Sequence, residues 1–150
     1  MLVFSGSAGG LTATMAAALL AAHGYPSLAL AYFKAPGLPQ TLSSIPLEYF
    51  TSALEELRAQ PGVDRNHVLV AGESRGGEAA LLVGAHFLRA QGFAYPVTAL
   101  RYRDAGHLIG GLTAYYGSLT DDALAGGTVA ATQAAQADAH AKLLAFLASL

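Results

Sequence analysis

Residues His67 to Leu82, HVLVAGESRGGEAALL, constrain the fold of this chain more than any other stretch. An apolar run, Val68 to Ala71, reads as a strand; Gly72-Glu73-Ser74-Arg75-Gly76 follows, and a helix starts near Gly77. A serine at the apex of so sharp a turn takes a strained backbone conformation. Small residues two before and two after it keep strand and helix from colliding, and Gly72 and Gly76 supply that room. The turn points the Ser74 hydroxyl away from the sheet. It also leaves the Arg75 backbone N–H at a helix N-terminus, where the dipole favours a developing negative charge. Ser74 is therefore a candidate nucleophile and the Arg75 N–H a candidate oxyanion donor. G-x-S-x-G by itself also describes a glycine-containing βα turn with a solvent-facing serine; the flanking strand and helix favour the chemical reading.

Such a turn belongs to a parallel sheet, and the composition fits one. Of 150 residues, 53% are hydrophobic and only 12% charged, as expected where helices cover both faces of the sheet. A chain of this length is read as a single domain, residues 1–150, with a core that buries most of its apolar surface. The net charge is −2 without a basic stretch, which argues against nucleic acid or anionic membrane as partners. The absence of cysteine removes disulfides and thiolate metal sites and leaves the redox compartment open. Leu11 to Ala22 is apolar, but no Lys or Arg precedes Lys34 and the stretch is too short to span a bilayer. A soluble, cytoplasmic protein is expected.

Met1 to Phe4 reads as a first strand. Ser5-Gly6-Ser7-Ala8-Gly9-Gly10 follows and leads into a helix, Leu11 to His23, which Gly24 stops ahead of Pro26. A glycine-rich strand-to-helix loop suits either a phosphate or an oxyanion. No G-K-[ST] follows, and Gly6, Gly9 and Gly10 have the wrong spacing for a dinucleotide fingerprint, so no cofactor is expected. The loop instead offers the second oxyanion donor, from Ser7 or Ala8, beside the alternative that its glycines only make a turn. Ser27 to Tyr32 is a second strand. The loop Phe33 to Ser44 contains Pro36, Gly37 and Pro39, which rule out helix. A helix resumes around Pro46 and buries Leu47, Phe50, Leu54 and Leu57, with Glu55 and Glu56 solvated, until Pro61.

Beyond Ser74 the helix runs through Glu78, Leu81, Leu82 and Phe87 towards Ala90, and Gly92 closes it. Val97 to Tyr102 reads as a fourth strand, followed by Arg103-Asp104-Ala105-Gly106-His107. Active sites of open α/β sheets are built where loops leave the C-terminal ends of strands, so His107 is the candidate general base. His23, His86 and His140 lie in helices, and His67 reads as a strand-edge residue. Gly110 to Gly127, with Tyr115, Tyr116, Asp121 and Asp122, suits a flap over the pocket. Thr128 caps a final helix, Val129 to Leu147, whose Leu143, Leu144 and Leu147 pack on the sheet.

Taken together, SGSAGGL, LALAYFKAPGLPQTLSSIPLEYF, VAGESRGGEAALL, YPVTALRYRDAGHLIG and GGTVAATQAAQADAHAKLLAFL resemble the C-terminal α/β-hydrolase domain of the acyl-CoA thioesterase and bile-acid-CoA:amino-acid N-acyltransferase family. The resemblance implies acyl transfer through a covalent acyl-enzyme, with Ser74 at the nucleophile position and His107 at the base position. Members with a cysteine nucleophile tend to be transferases, so Ser74 points to hydrolysis. The family's N-terminal β-sandwich has no counterpart in these 150 residues.

The resemblance also implies a gap. In the family, a further strand and then the strand whose following loop carries the catalytic acid lie between the elbow helix and the His strand. Here the interval from Ser74 to His107 has room for one helix and one strand, since a βαβ unit takes about 30 residues. The break falls near Phe87-Leu88. The carboxylates left are Glu78, Asp104, Asp121, Asp122 and Glu73, of which Asp104 stands three residues before His107 and is the candidate acid. Losing the acid costs on the order of 10⁴ in kcat in the serine proteases.

Right-handed crossovers give the strand order 2-1-3-4, a reduced α/β-hydrolase with a mostly parallel sheet of about four strands and helices on both faces. The His strand would stand about 10 Å from its family position, and the new edge would be a long apolar strand. A homodimer is expected from that edge. The function read from the chain is a serine hydrolase acting on a small-molecule acyl ester or thioester. The alternatives are a catalytically impaired hydrolase-fold module that serves in binding or association, and an esterase of the dienelactone-hydrolase type.

Overall fold

The computed structural model describes residues 1–90, 100–107 and 126–150, which fall into two compact units, Met1–Tyr95 and Pro96–Leu150. In the first unit β1 (Leu2–Phe4), β2 (Leu28–Leu30) and β3 (Val70–Gly72) form a parallel sheet in the order β2-β1-β3. Leu2 stands opposite both Leu28 and Val70, and Phe4 opposite both Leu30 and Gly72. Helices α1 (Thr14–Ala22) and α2 (Leu47–Ala59) make the crossovers, and α3 (Arg75–Ala90) follows β3. The chain leaves β1 towards one side of the sheet and returns to its other side. The C-terminal ends of β1 and β3 therefore flank a topological switch point, where open α/β sheets bind their ligands.

Side chains alternate across a strand. Leu2 and Phe4 join Tyr32 and Phe33, the α2 residues Phe50, Ala53, Leu54 and Leu57, and Val83 of α3 in one buried cluster. The Phe4 ring meets Phe50 edge-on at 5.1 Å, and Tyr32 meets Phe50 at 5.3 Å; aromatic pairs of this kind add about 0.5–1.5 kcal/mol each beyond their buried area. Val3 points the other way and is fully buried outside that cluster. Helix α1 packs on β1 and β2 and buries Ala17 and Leu20, so it covers the opposite face. Helices on both faces of a parallel sheet are thus present, as the composition implies.

The helix expected from Leu11 begins at Thr14. The hydroxyl of Thr12 donates to the Gly9 carbonyl and that of Thr14 to the Leu11 carbonyl, and Gly9 and Gly10 have left-handed φ angles, so the loop runs on before the helix can start. Pro46 takes the N-cap position of α2 rather than its first turn. The elbow helix starts at Arg75, two residues earlier than its apolar pattern, and the elbow strand pairs over Val70–Gly72 rather than from Val68. Three parallel strands are among the described residues. Of the expected fourth, 97–99 lie outside them, and Leu100, Arg101 and Tyr102 carry no strand. The proposed flap falls almost wholly outside them as well.

The second unit contains α4 (Val129–Ala148). Its cap is the one expected: the Thr128 side chain accepts the Ala131 N–H at 3.2 Å. Leu147 is buried, and Leu143 and Leu144 are half-buried. No helix among the described residues is long and apolar enough to cross a membrane.

Candidate active site

Two loops at the C-terminal edge of the sheet in the first unit meet beside Ser74. Ser74 has a φ of +54°, in the left-handed region that costs an L-residue about 1–2 kcal/mol. Both elbow glycines are forced by close approach. A Cβ on Gly72 would lie 2.1 Å from the Gly76 carbonyl oxygen, and one on Gly76 would lie 2.6 Å from the carbonyl oxygens of Phe4 and Ser5. Only two residues without side chains let β3, α3 and the end of β1 converge. The Ser74 carbonyl accepts the N–H groups of Gly77 at 3.0 Å and Glu78 at 3.3 Å, so the helix grows directly out of the strained residue. The N–H of Arg75, the first of the helix, has no acceptor among the described residues and is one of the orphan donors at a helix start.

The loop after β1 lies against this turn. A Cβ on Gly6 would be 3.3 Å from the Glu73 carbonyl oxygen and 3.5 Å from the Ser74 Cβ. The next two residues, Ser7 and Ala8, are exposed, and their N–H groups donate to nothing among the described residues. The loop is tied down around them. The buried Tyr32 hydroxyl donates to the Ser5 carbonyl at 2.8 Å, Gly10 N–H to the Phe33 carbonyl at 2.9 Å, and Gly9 N–H to the Gly6 carbonyl at 3.1 Å. Burial, with the Glu78 charge adding to it, raises the Tyr32 phenol above its ordinary pKa, so this group keeps its proton and remains a donor.

The Arg75 side chain turns along its own helix. Its guanidinium grips both Glu78 oxygens, at 2.8 and 3.0 Å, and the bonded Glu78 carboxylate holds it protonated. Both side chains are more than half exposed, so the pair adds little stability. Its effect is to occupy Glu78, one of the carboxylates the sequence left available. A groove of about 550 Å³ opens beside the same turn. Leu42, Ile45, Leu47, Phe50, Ala79 and Leu82 supply its apolar wall, and Ser43, Ser44, Arg75 and Glu78 its polar one.

Asp104 and His107 lie in the second unit. Both are exposed, and Asp104 has a left-handed φ of +58°. Among the described residues the Asp104 carboxylate makes no hydrogen bond to the His107 ring; the Asp104 carbonyl accepts the Thr128 N–H at 2.9 Å. His67, read as a strand-edge residue, bonds Asp64 at 2.8 Å in the turn before β3. That bond pulls the Asp64 carboxyl below its usual pKa.

Sequence reading passed over four residues that hold the His107 loop. Gly106 N–H donates to the Thr132 hydroxyl at 2.9 Å, Tyr102 OH donates to the Asp138 carboxylate at 2.6 Å, and Gly127 lies in backbone contact with Gly106. The Gly126-Gly127 pair ahead of the Thr128 cap was the available signal, because a close backbone approach calls for glycine.

A parallel β2-β1-β3 sheet with helices on both faces, and a serine held left-handed where β3 turns into α3, define a reduced α/β-hydrolase fold. The relatives agree with it. The chain is 42% identical to acyl-coenzyme A thioesterase 6 of Mus musculus over 80 residues, 53% of this chain and 19% of that protein. It is 41% identical to the Homo sapiens acyl-coenzyme A thioesterase 6 over 73 residues, 49% of this chain and 17% of that one. It is 39% identical to acyl-coenzyme A amino acid N-acyltransferase 1 of Mus musculus over 70 residues, 47% and 17% of the two. Over about half its length the chain is thus a partial homologue of the thioesterase and N-acyltransferase family that its motifs resemble. The matched segment spans less than a fifth of each of these relatives. No family profile and no solved structure matches the chain.

Proposed function

We propose that this chain is a serine hydrolase that cleaves acyl thioesters or esters through an acyl-serine intermediate. The observation that carries the reading is the left-handed Ser74, held between two glycines that tolerate no side chain and set against a loop whose Ser7 and Ala8 N–H groups donate to nothing among the described residues. Strain of this kind persists where the surrounding structure over-determines it, and it clusters at active sites.

In this reading the Ser74 hydroxyl oxygen attacks the substrate carbonyl carbon while its proton passes to His107. The Arg75 N–H and that of Ser7 or Ala8 hold the oxyanion of the tetrahedral intermediate. Collapse expels the thiol or alcohol, which takes the proton from His107, and a water activated by His107 then frees the acid. Asp104, the candidate acid, makes no hydrogen bond to the His107 ring among the described residues, so this reading does not depend on it. The groove beside Arg75 suits the acyl chain, since ligand sites of this size are mostly apolar with a few polar groups. A second reading, a catalytically impaired hydrolase-fold module that serves in binding, is favoured by the short interval from Ser74 to His107, which has room for one helix and one strand and not for the strand whose loop carries the family's acid.

A fluorophosphonate probe decides between them. Labelling of the wild-type chain that disappears in Ser74→Ala supports the hydrolase, as does turnover of p-nitrophenyl acetate that falls in His107→Ala. An unlabelled wild type overturns it in favour of the binding module.

A further inference from the structure

We propose that Thr132 is a positioning residue of the reaction, its hydroxyl fixing the loop that ends in His107; this rests on the assignment of His107 as general base. Thr132 lies on the first turn of α4 and is buried, 6% exposed. Its Oγ1 accepts the N–H of Gly106, itself buried and directly before His107, at 2.9 Å. One turn earlier, Thr128 N–H donates to the Asp104 carbonyl at 2.9 Å. The backbone of residues 104 to 106 is thus gripped at both ends by the start of one helix. Between the grips the chains touch: a Cβ on Gly127 would lie 2.2 Å from Gly106 N and 2.6 Å from the Ala105 carbonyl carbon. Tyr102, at the entry to the loop, is bound farther along the same helix by Asp138.

Thr132 stands apart from these neighbours because its bond is made by a side chain, is buried, and ends on the residue adjoining His107. Threonine suits the task. Branching at Cβ leaves χ1 few choices, so the acceptor oxygen is held in place before the loop reaches it. The hydroxyl fixes the Gly106 peptide, and that peptide sets the direction in which His107 leaves the backbone. A general base must come within hydrogen-bond reach of the hydroxyl it deprotonates, and a misplacement of about 1 Å costs on the order of 10²-fold in rate. Replacing the hydroxyl by a methyl group leaves Gly106 N–H buried and unpaired, and the loop relaxes to satisfy it.

The test uses the full 150-residue chain, with p-nitrophenyl acetate as substrate and kcat normalised to the folded fraction measured by circular dichroism. Thr132→Val is expected to lower kcat about 10- to 100-fold while KM stays within about twofold, because the substrate contacts are untouched. Thr132→Ser, which keeps the acceptor, restores most of the rate. If Thr132→Val does not fold, Thr132→Cys carries the test: its sulfur is a weak acceptor, and kcat falls in the order Thr, Ser, Cys. Wild-type kcat per folded molecule in the Val or Cys variant overturns the proposal, and so does a Ser variant no better than the Val variant. A wild type without turnover overturns both this proposal and the hydrolase reading. An active wild type unchanged by loss of the hydroxyl overturns this proposal alone.

Discussion

Gly72→Ala probes the elbow directly. The new methyl group would sit 2.1 Å from the Gly76 carbonyl oxygen and 2.2 Å from its carbon, with Gly77 N at 2.8 Å. Ordinary contact begins at 3.4 Å, so β3 and the start of α3 must separate by about 1.3 Å. All three opposing atoms are backbone, and no side chain can swing aside. The movement is resisted from both directions: Gly72 is paired with Phe4 in the sheet, and Gly76 is packed on the end of β1. Overpacking a tight interior costs about 1–3 kcal/mol when side chains can adjust. Here the cost is expected at the top of that range, about 3 kcal/mol, or a fall in Tm of roughly 6–12 °C for a chain of this size. Ser74 rides on the displaced segment, so fluorophosphonate labelling should slow by about 10²-fold even in the folded fraction. Urea unfolding and labelling rates of Gly72→Ala, beside Gly62→Ala, separate this from a general glycine effect. Gly62 has a φ of +80° but nothing within 4 Å of its Cβ position, so its substitution costs only the left-handed strain, about 1–2 kcal/mol. A Gly72→Ala variant as stable and as reactive as Gly62→Ala would refute the convergence of strand, turn and helix on which the site rests.

Further outcomes follow from the second unit. Asp104→Asn is expected to lower kcat no more than about tenfold, far short of the 10⁴ seen when a bonded triad acid is lost, because the Asp104 carboxylate does not bond the His107 ring; steady-state kinetics on p-nitrophenyl acetate measure it, and a loss near 10⁴ refutes the inference. The Tyr102–Asp138–Lys142 cluster should give the thermal midpoint a pH dependence at both ends. Hydrogen bonds from Lys142 and Tyr102 lower the Asp138 pKa, so its contribution is complete above the ordinary carboxyl pKa of 3.8 and is lost as pH falls through the lowered value. The Asp138 bond raises the pKa values of Tyr102 and Lys142. Their contributions are complete below their ordinary values of 10.0 and 10.5 and are lost as pH rises through the raised ones. Asp138→Asn should lower the midpoint between these limits and converge with wild type beyond them, as differential scanning calorimetry over pH 3 to 11 would record; a gap that is constant at every pH counts against the ionic link.

Much of the fold was legible because its signals are local. The Phe50, Leu54 and Leu57 stripe of α2 follows the helical period, and those residues are buried as that period implies. Thr128 caps α4 because a threonine oxygen at that position reaches an orphan N–H within one turn. The apolar run from Leu11 marks α1 but not its start at Thr14, because apolarity does not show where a helix begins. The threonine hydroxyls that hold the preceding loop on its own carbonyls leave no trace in a hydrophobic pattern. The apolar run of the elbow strand starts two residues ahead of its paired span for a related reason, since that span depends on pairing with β1. The role of Thr132 is not legible in the sequence: a threonine within an alanine-rich helix looks incidental until the loop that it binds, 26 positions earlier in the chain, is beside it.

By itself the sequence determined the turn at Ser74. Two glycines at that spacing, between an apolar run and a helix, leave the serine little but a strained apex, and this depends only on covalent geometry and sterics. Tertiary structure alone decided what lies against that apex. The contact of Gly6 with Ser74, the groove beside them and the grip of α4 on the residues before His107 all join segments far apart in the chain. Such contacts arise from packing across a shared sheet or helix, and local residue patterns do not encode them.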